Sequence, residues 1–167
     1  MRQAIGGAWL YSIVIVFMMF MIAYVSASLN YSRAYKVKTQ VVNIIEEYQG
    51  ITNDTTKKIA QIISANGYTT TRYCSDVIES GTKYIGILNT TKVKRTAGVP
   101  GASGEKAQHV CITRTSYKAP GSLYTDYYYD VSMFFKFNIP IFGDIFTFTV
   151  RGETNSIYYP TDNSNWT

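Results

Sequence analysis

Between Gln3 and Ser32 the chain carries no Asp, Glu, Lys or Arg, and Ile13 to Val25 (IVIVFMMFMIAYV) is apolar without interruption. With Ala8 to Ser12 ahead of it and Ala27 and Leu29 behind, the stretch exceeds the ~20 residues needed to cross a bilayer as a helix. Its Leu, Ile, Phe and Val residues favour insertion by roughly 3 to 5 kcal/mol, and nothing charged opposes them. Trp9, Tyr11, Tyr24 and Tyr31 fall towards the two ends, where membrane proteins place their aromatic belts. The expectation is one membrane-spanning helix, with the lipid bilayer as its solvent.

A cleaved secretory signal is the competing reading, because Arg2 gives a basic start and Ala23 to Ser28 offers small residues for cleavage. The helical pattern runs on past that point. Ala34, Val37, Val41, Ile44 and Tyr48 recur at spacings of three and four, with Lys36, Gln40, Asn43 and Glu47 on the opposite face. One helix from near Ile5 to near Gln49 is therefore expected. Val37, Val41, Ile44 and Tyr48 should pack its outer half on the rest of the molecule, and Gly50 should end it.

The remainder has the composition of one folded domain. The chain is 167 residues long, 46% hydrophobic and 16% charged, and after Arg2 its charge is 15 basic against 11 acidic residues. That mild excess does not call for nucleic acid. Asn53 or Asp54 can cap a second helix with the stripe Ile59, Ile62 and Ile63, ended by Asn66-Gly67. Strand-like pieces follow near Tyr73 and from Tyr84 to Leu88, and Thr96 to Gln108 reads as a glycine-rich loop. It lacks the Gly-Lys-Ser/Thr of a phosphate loop. From Tyr127 to Ile139 large residues alternate with Asp130, Ser132, Lys136 and Asn138. Pro140 ends that run, Gly143-Asp144 is the expected turn, and Phe146, Phe148 and Val150 continue the alternation. With His109 to Tyr117 as a further strand, the fold class is α+β: a long N-terminal helix, a short second helix and an antiparallel sheet with a long C-terminal hairpin.

Residues for chemistry are few. Cys74 and Cys111 are the only cysteines, and a disulfide between them would be worth ~3 to 4 kcal/mol in the chain-entropy account. His109, two residues before Cys111, raises a Cys-His pair or a partial zinc set with Cys74 as alternatives, but no fourth ligand stands at a recognisable spacing. Glu46-Glu47 sit at a helix end, and Asp126 and Asp130 flank a tyrosine run, so neither pair reads as a general acid and base. Lys92, Lys94 and Arg95 suit either an anionic polymer or a lysine-guarded edge strand. Asp162 to Asn165 lack the glycine and glutamate of a calcium loop. No enzyme, cofactor, metal or small-molecule substrate is expected.

The short basic head, Gly6-Gly7, the apolar helix and its continuation NYSRAYKVKTQVVNIIEEY resemble a type IV pilin-like protein, more narrowly the TadE-like pseudopilins of tight-adherence pilus systems. The ending VSMFFKFNIPIFGDIFTFTVRGETNSIYY is similar to the strand, Ile-Pro, strand ending of Gram-positive members. The glutamate that pilins carry five residues after the processed glycine is Tyr11 or Ser12 here, and the span has no proline. The resemblance implies a peptidase site at Gly6 or Gly7, and as partners other pilin-like subunits or a membrane assembly platform, met through the N-terminal helix. It divides the chain into a cytoplasmic head and span (1–30), an amphipathic extension (31–50), an exported α+β domain (51–159) and a flexible tail (160–167). Arg33, Lys36 and Lys38 follow the span, so a literal positive-inside count puts the domain in the cytoplasm. Long domains cross largely regardless of nearby charge, and the cysteine pair suits an exported one. The expected place is the cell membrane, with the N-terminus inside and the C-terminal domain outside. An anchored extracellular module that binds a surface polymer or protein is the rival reading.

Overall fold

The structure, a computed structural model, describes residues 2–67, 69–89, 91–97, 106–139 and 143–161. Helix α1 (Arg2–Glu47) is unbroken for 46 residues, roughly 69 Å at 1.5 Å per residue. It ends in a Schellman closure, with the Gly50 N–H donating to the Ile45 carbonyl at 3.0 Å and the Gln49 N–H to the Glu46 carbonyl at 3.1 Å. The left-handed residue of that closure is Gln49, at φ 51°, rather than the expected Gly50, which follows at φ 140°. Helix α2 (Asn53–Asn66) is capped by Thr52, whose hydroxyl accepts the Thr55 N–H at 3.2 Å, in place of the expected Asn53 or Asp54. Gly67 ends α2 at φ 61°, as its sequence predicts.

Five strands follow: β1 (Lys83–Leu88), β2 (Thr91–Thr96), β3 (Val110–Tyr117), β4 (Asp126–Ile139) and β5 (Gly143–Glu153). They form one antiparallel sheet in the order β2-β1-β3-β4-β5. The Lys92 segment is thus an edge strand, as expected. Tyr73 is in no strand; it precedes a single turn of 3-10 helix at Cys74–Asp76. Gly143 pairs with Ile139 and begins β5, so Gly143-Asp144 is strand rather than turn, and 140–142 lie outside the described residues.

One face of the sheet takes both helices. Ile85, Ile87, Val110, Ile112, Tyr129, Val131, Met133 and Phe135 meet Ala34, Val37, Val41, Val42 and Ile45 of α1 and Ile59 and Ile63 of α2. At 100° per residue, Val41 and Ile45 lie at the centre of the α1 stripe, with Ile44 and Val42 on its two flanks. Ile44 is accordingly half-buried, as is Tyr48 just past the helix end, whereas Val42 is covered. Val42 is covered because β5 offers Gly152, where a Cβ would run into the Lys38 and Val42 side chains.

The opposite face carries a second, smaller core of Tyr84, Ala97, Cys74, Cys111 and Phe134. Cys74 and Cys111 form the expected disulfide, with Cα atoms 5.7 Å apart, so the segment before β1 is fastened to the middle of β3. The C-terminal stretch closes the other end of the domain. Ile157 exchanges two backbone hydrogen bonds with Tyr127, the Asn155 N–H donates to Glu46 Oε1 at 2.7 Å, and Thr161 bonds the Tyr48 and Gln49 carbonyls. Pro160 is buried, so the fixed part of the chain extends past the expected start of the tail; 162–167 lie outside the described residues.

Candidate functional site

The largest chemical anomaly of this molecule is the first two-thirds of α1. A soluble helix turns its apolar side to a core, yet from Trp9 to Arg33 no residue is buried; Trp9 is 72% exposed, Phe20 71% and Tyr24 72%. Apolar side chains point in every direction around this part of the helix, which is the pattern of a membrane span rather than of an amphipathic surface helix. The helix is long and apolar enough to cross a bilayer. Its polar backbone groups are satisfied internally, as hydrocarbon requires. Gly6 and Gly7 lie in the helical backbone near its start; their surroundings fall outside the described residues.

Other sequence candidates resolve into structural roles. The Cys111 sulfur is joined to Cys74, so no thiol is available to His109. The His109 ring Nδ1 instead lies 3.2 Å from the Thr70 carbonyl, tying the segment before the disulfide to the start of β3. Among the described residues no three His, Cys, Asp or Glu side chains are grouped to hold a metal. Glu46 is spent on the Asn155 N–H and Glu47 is exposed. Asp126 and Asp130 stand roughly 13 Å apart along β4 at 3.3 Å per residue. Lys92 Nζ donates to the Ile51 carbonyl at 3.3 Å, bracing β2 against the turn between the helices; the side chains of Lys94 and Arg95 lie outside the described residues. Tyr48 carries Lys58, whose Nζ sits 4.6 Å from the ring centroid, and a hydrogen bond between the two side chains raises the Lys58 pKa.

Two grooves remain. One of about 580 Å³ lies where α1 leaves its apolar section and passes the end of α2, lined by Arg33, Lys36, Gln40, Ile62 and Asn66. The other, about 330 Å³, lies on the disulfide face between Glu79, Thr113, Asp130 and Arg151. Both are open and polar-rimmed. Gln108, invisible as a special residue in the sequence, is buried with its side chain laid over Gly86; its Nε2 donates to the Lys106 carbonyl at 2.9 Å, and its Oε1 has no hydrogen-bond partner among the described residues. A glutamine packed across a strand glycine leaves no periodic mark that sequence reading can detect.

Comparison with known protein families, curated proteins and solved structures finds no match for this chain. What the molecule itself supplies is a single helix that is apolar on all sides over one part and forms the core of a disulfide-clamped α+β domain over the other.

Proposed function

We propose that this chain is a non-enzymatic, single-pass pilin-like subunit, TadE-like in type, that contributes to a bacterial surface pilus or a related secretion filament. The observation that carries the reading is the continuity of α1: one helix supplies both an uncovered apolar segment and the central strut of the folded domain. A protein built this way can pack its apolar half against like helices or a membrane assembly platform while its domain keeps a fixed bearing on the helix. The Cys74–Cys111 bond supports an exported domain, because disulfides persist in oxidising compartments. Gly6 and Gly7 are the proposed processing positions. The N-terminus would lie in the cytoplasm and the domain outside the cell.

Met19→Lys tests this reading, since a lysine at the centre of a span costs ~2.5 to 3.5 kcal/mol on the insertion scale and interrupts helix packing. Filament formation in cells should be lost while His109→Ala leaves it intact. Filaments assembled normally by the Met19→Lys chain would sink the proposal. The anchored-module reading draws on exposed large apolar residues near the β3–β4 end of the sheet, Tyr117, Leu123 and Tyr124. It predicts that the domain released from its helix keeps full function, which a pilin subunit cannot do.

A further inference from the structure

The two open grooves lie on opposite sides of the domain, and their charges are opposite too. The groove on the disulfide face is walled by Glu79, Asp130 and Arg151, and Glu153 stands directly across from Asp130 in the β4–β5 register. Directly opposed residues of an antiparallel pair share a face, so two carboxylates meet there, an arrangement that weakens the sheet of an isolated chain. Glu79, Asp130 and Glu153 are all exposed, and none of their carboxylates has a hydrogen bond or ion pair among the described residues. Arg151, two residues before Glu153, gives an N–H to the Val77 carbonyl at 3.2 Å. Tyr128, paired with Thr115 at the groove, and exposed Tyr117 stand on the same face by strand alternation.

The helix side carries the other sign. Its groove runs between α1 and α2, with Lys36 and Gln40 on one wall, Ala65 and Asn66 on the other, and no carboxylate in its lining. Arg33 lies at the end nearer the span but already has a partner within the chain, so exposed Lys36 is the cation on offer. At 100° per residue Lys36 points about 160° away from the stripe centred on Val41 and Ile45, and so away from the sheet.

Height along α1 brings the two grooves into reach of each other. Gly152, the residue before Glu153, packs on Lys38 and Val42, so the acidic row is level with residues 38–42 of the helix. The basic groove is level with residues 33–40. The two centres differ by roughly 5 Å at 1.5 Å per residue. Copies whose spans share one bilayer stand parallel at one depth and meet only sideways, through faces of similar height. A symmetric contact of either face with itself would set like charge against like.

We infer that neighbouring copies of this chain in the membrane dock front to back, the disulfide face of one receiving the helix face of the next, with Lys36 of one copy set against Asp130 and Glu153 of the other. The inference rests on the filament-subunit reading and names its lateral contact. Because the contact is heterologous, every copy keeps one face of each sign for a further neighbour, and the row grows instead of closing at a pair. Tyr117 and Tyr128 add the aromatic surface in which protein contacts are rich.

Charge exchange between copies tests it. The full chain, with its disulfide kept, is labelled with donor or acceptor dye at Leu123→Cys and reconstituted at low density in phosphatidylcholine vesicles, where energy transfer reports association. The unaltered pair should show transfer well above that of randomly placed copies. Lys36→Glu alone, or Asp130→Lys with Glu153→Lys alone, should lower it several-fold, and mixing the two variants should restore it, because each then meets the opposite charge on its neighbour. All three positions are exposed, so an unchanged thermal melt accompanies the loss. Transfer that survives in either variant alone, or that mixing does not restore, would overturn the inference. Filaments in cells separate it from the reading beneath it. Normal filaments from Lys36→Glu, with none from Met19→Lys, would overturn the docking and leave the subunit reading in place; no filaments from the unaltered chain would overturn both.

Discussion

Residues 9–31 and 34–45 belong to one helix of uniform backbone, yet their side chains meet different surroundings. In the first stretch no residue is buried; in the second Ala34, Val37, Val41, Val42 and Ile45 are all covered, with Val41 and Ile45 fully so. The difference lies wholly in side-chain pattern. The first stretch is apolar all round, while the second alternates an apolar stripe with Lys36, Gln40 and Asn43 on the outside. Helical continuity is therefore not evidence of a single environment, and the stability of the folded domain should depend on the second stretch and, apart from Tyr31, which stacks on Phe148, be indifferent to the first.

The strongest way to break that contrast is to charge its centre. Val41→Asp leaves a carboxylate against the sheet and should destabilise the domain by ~3 to 5 kcal/mol, enough to unfold it in a thermal melt. Phe20→Ala in the other stretch should leave the same melt unmoved in detergent; a comparable loss there would mean that the apolar segment has a partner inside the domain. Next in size, Cys111→Ser should cost ~3 to 4 kcal/mol by denaturant titration, because it frees the segment fastened to the far face of the sheet.

Much of this design is legible in the sequence. The span, the Ile59 and Ile63 stripe, the alternation of Tyr129 to Phe135 and the cysteine pair all announce themselves through periodicity or parity. The disulfide-side core does not. Phe134 occupies a nominally outward position, and its burial depends on Cys74, Tyr84 and Ala97 being brought there by a crossover that no local pattern encodes. Gln49 and Thr52 are equally hidden, since each has a neighbour of better or equal propensity, Gly50 or Asn53. Which of two adjacent residues caps a helix is settled by where the chain must go next.

Smaller changes sharpen the comparison. Gly152→Ala places a methyl where the Lys38 stem and Val42 pack on β5, and should cost ~1 to 3 kcal/mol, read as a lower midpoint in urea at unchanged slope. Gln49→Gly relieves the left-handed conformation at the end of α1 and should stabilise the domain by ~0.5 to 1 kcal/mol, a rise of a few degrees in melting temperature. No rise would show that the closure is held by Thr161 and the neighbouring turn rather than limited by the cost at Gln49.

The absence of any linker between the two stretches of α1 locks their phase. Because each residue turns the helix by 100° and lifts it 1.5 Å, the azimuth of the sheet is set by the azimuth of the apolar segment, residue for residue. One residue added between Asn30 and Ala34 would swing the whole domain through about 100° around the helix axis, and a deletion would swing it the other way. The chain therefore transmits direction as well as attachment: whatever contact fixes the rotation of Phe17 or Phe20 also decides which side of the domain, disulfide face or helix face, a neighbour meets.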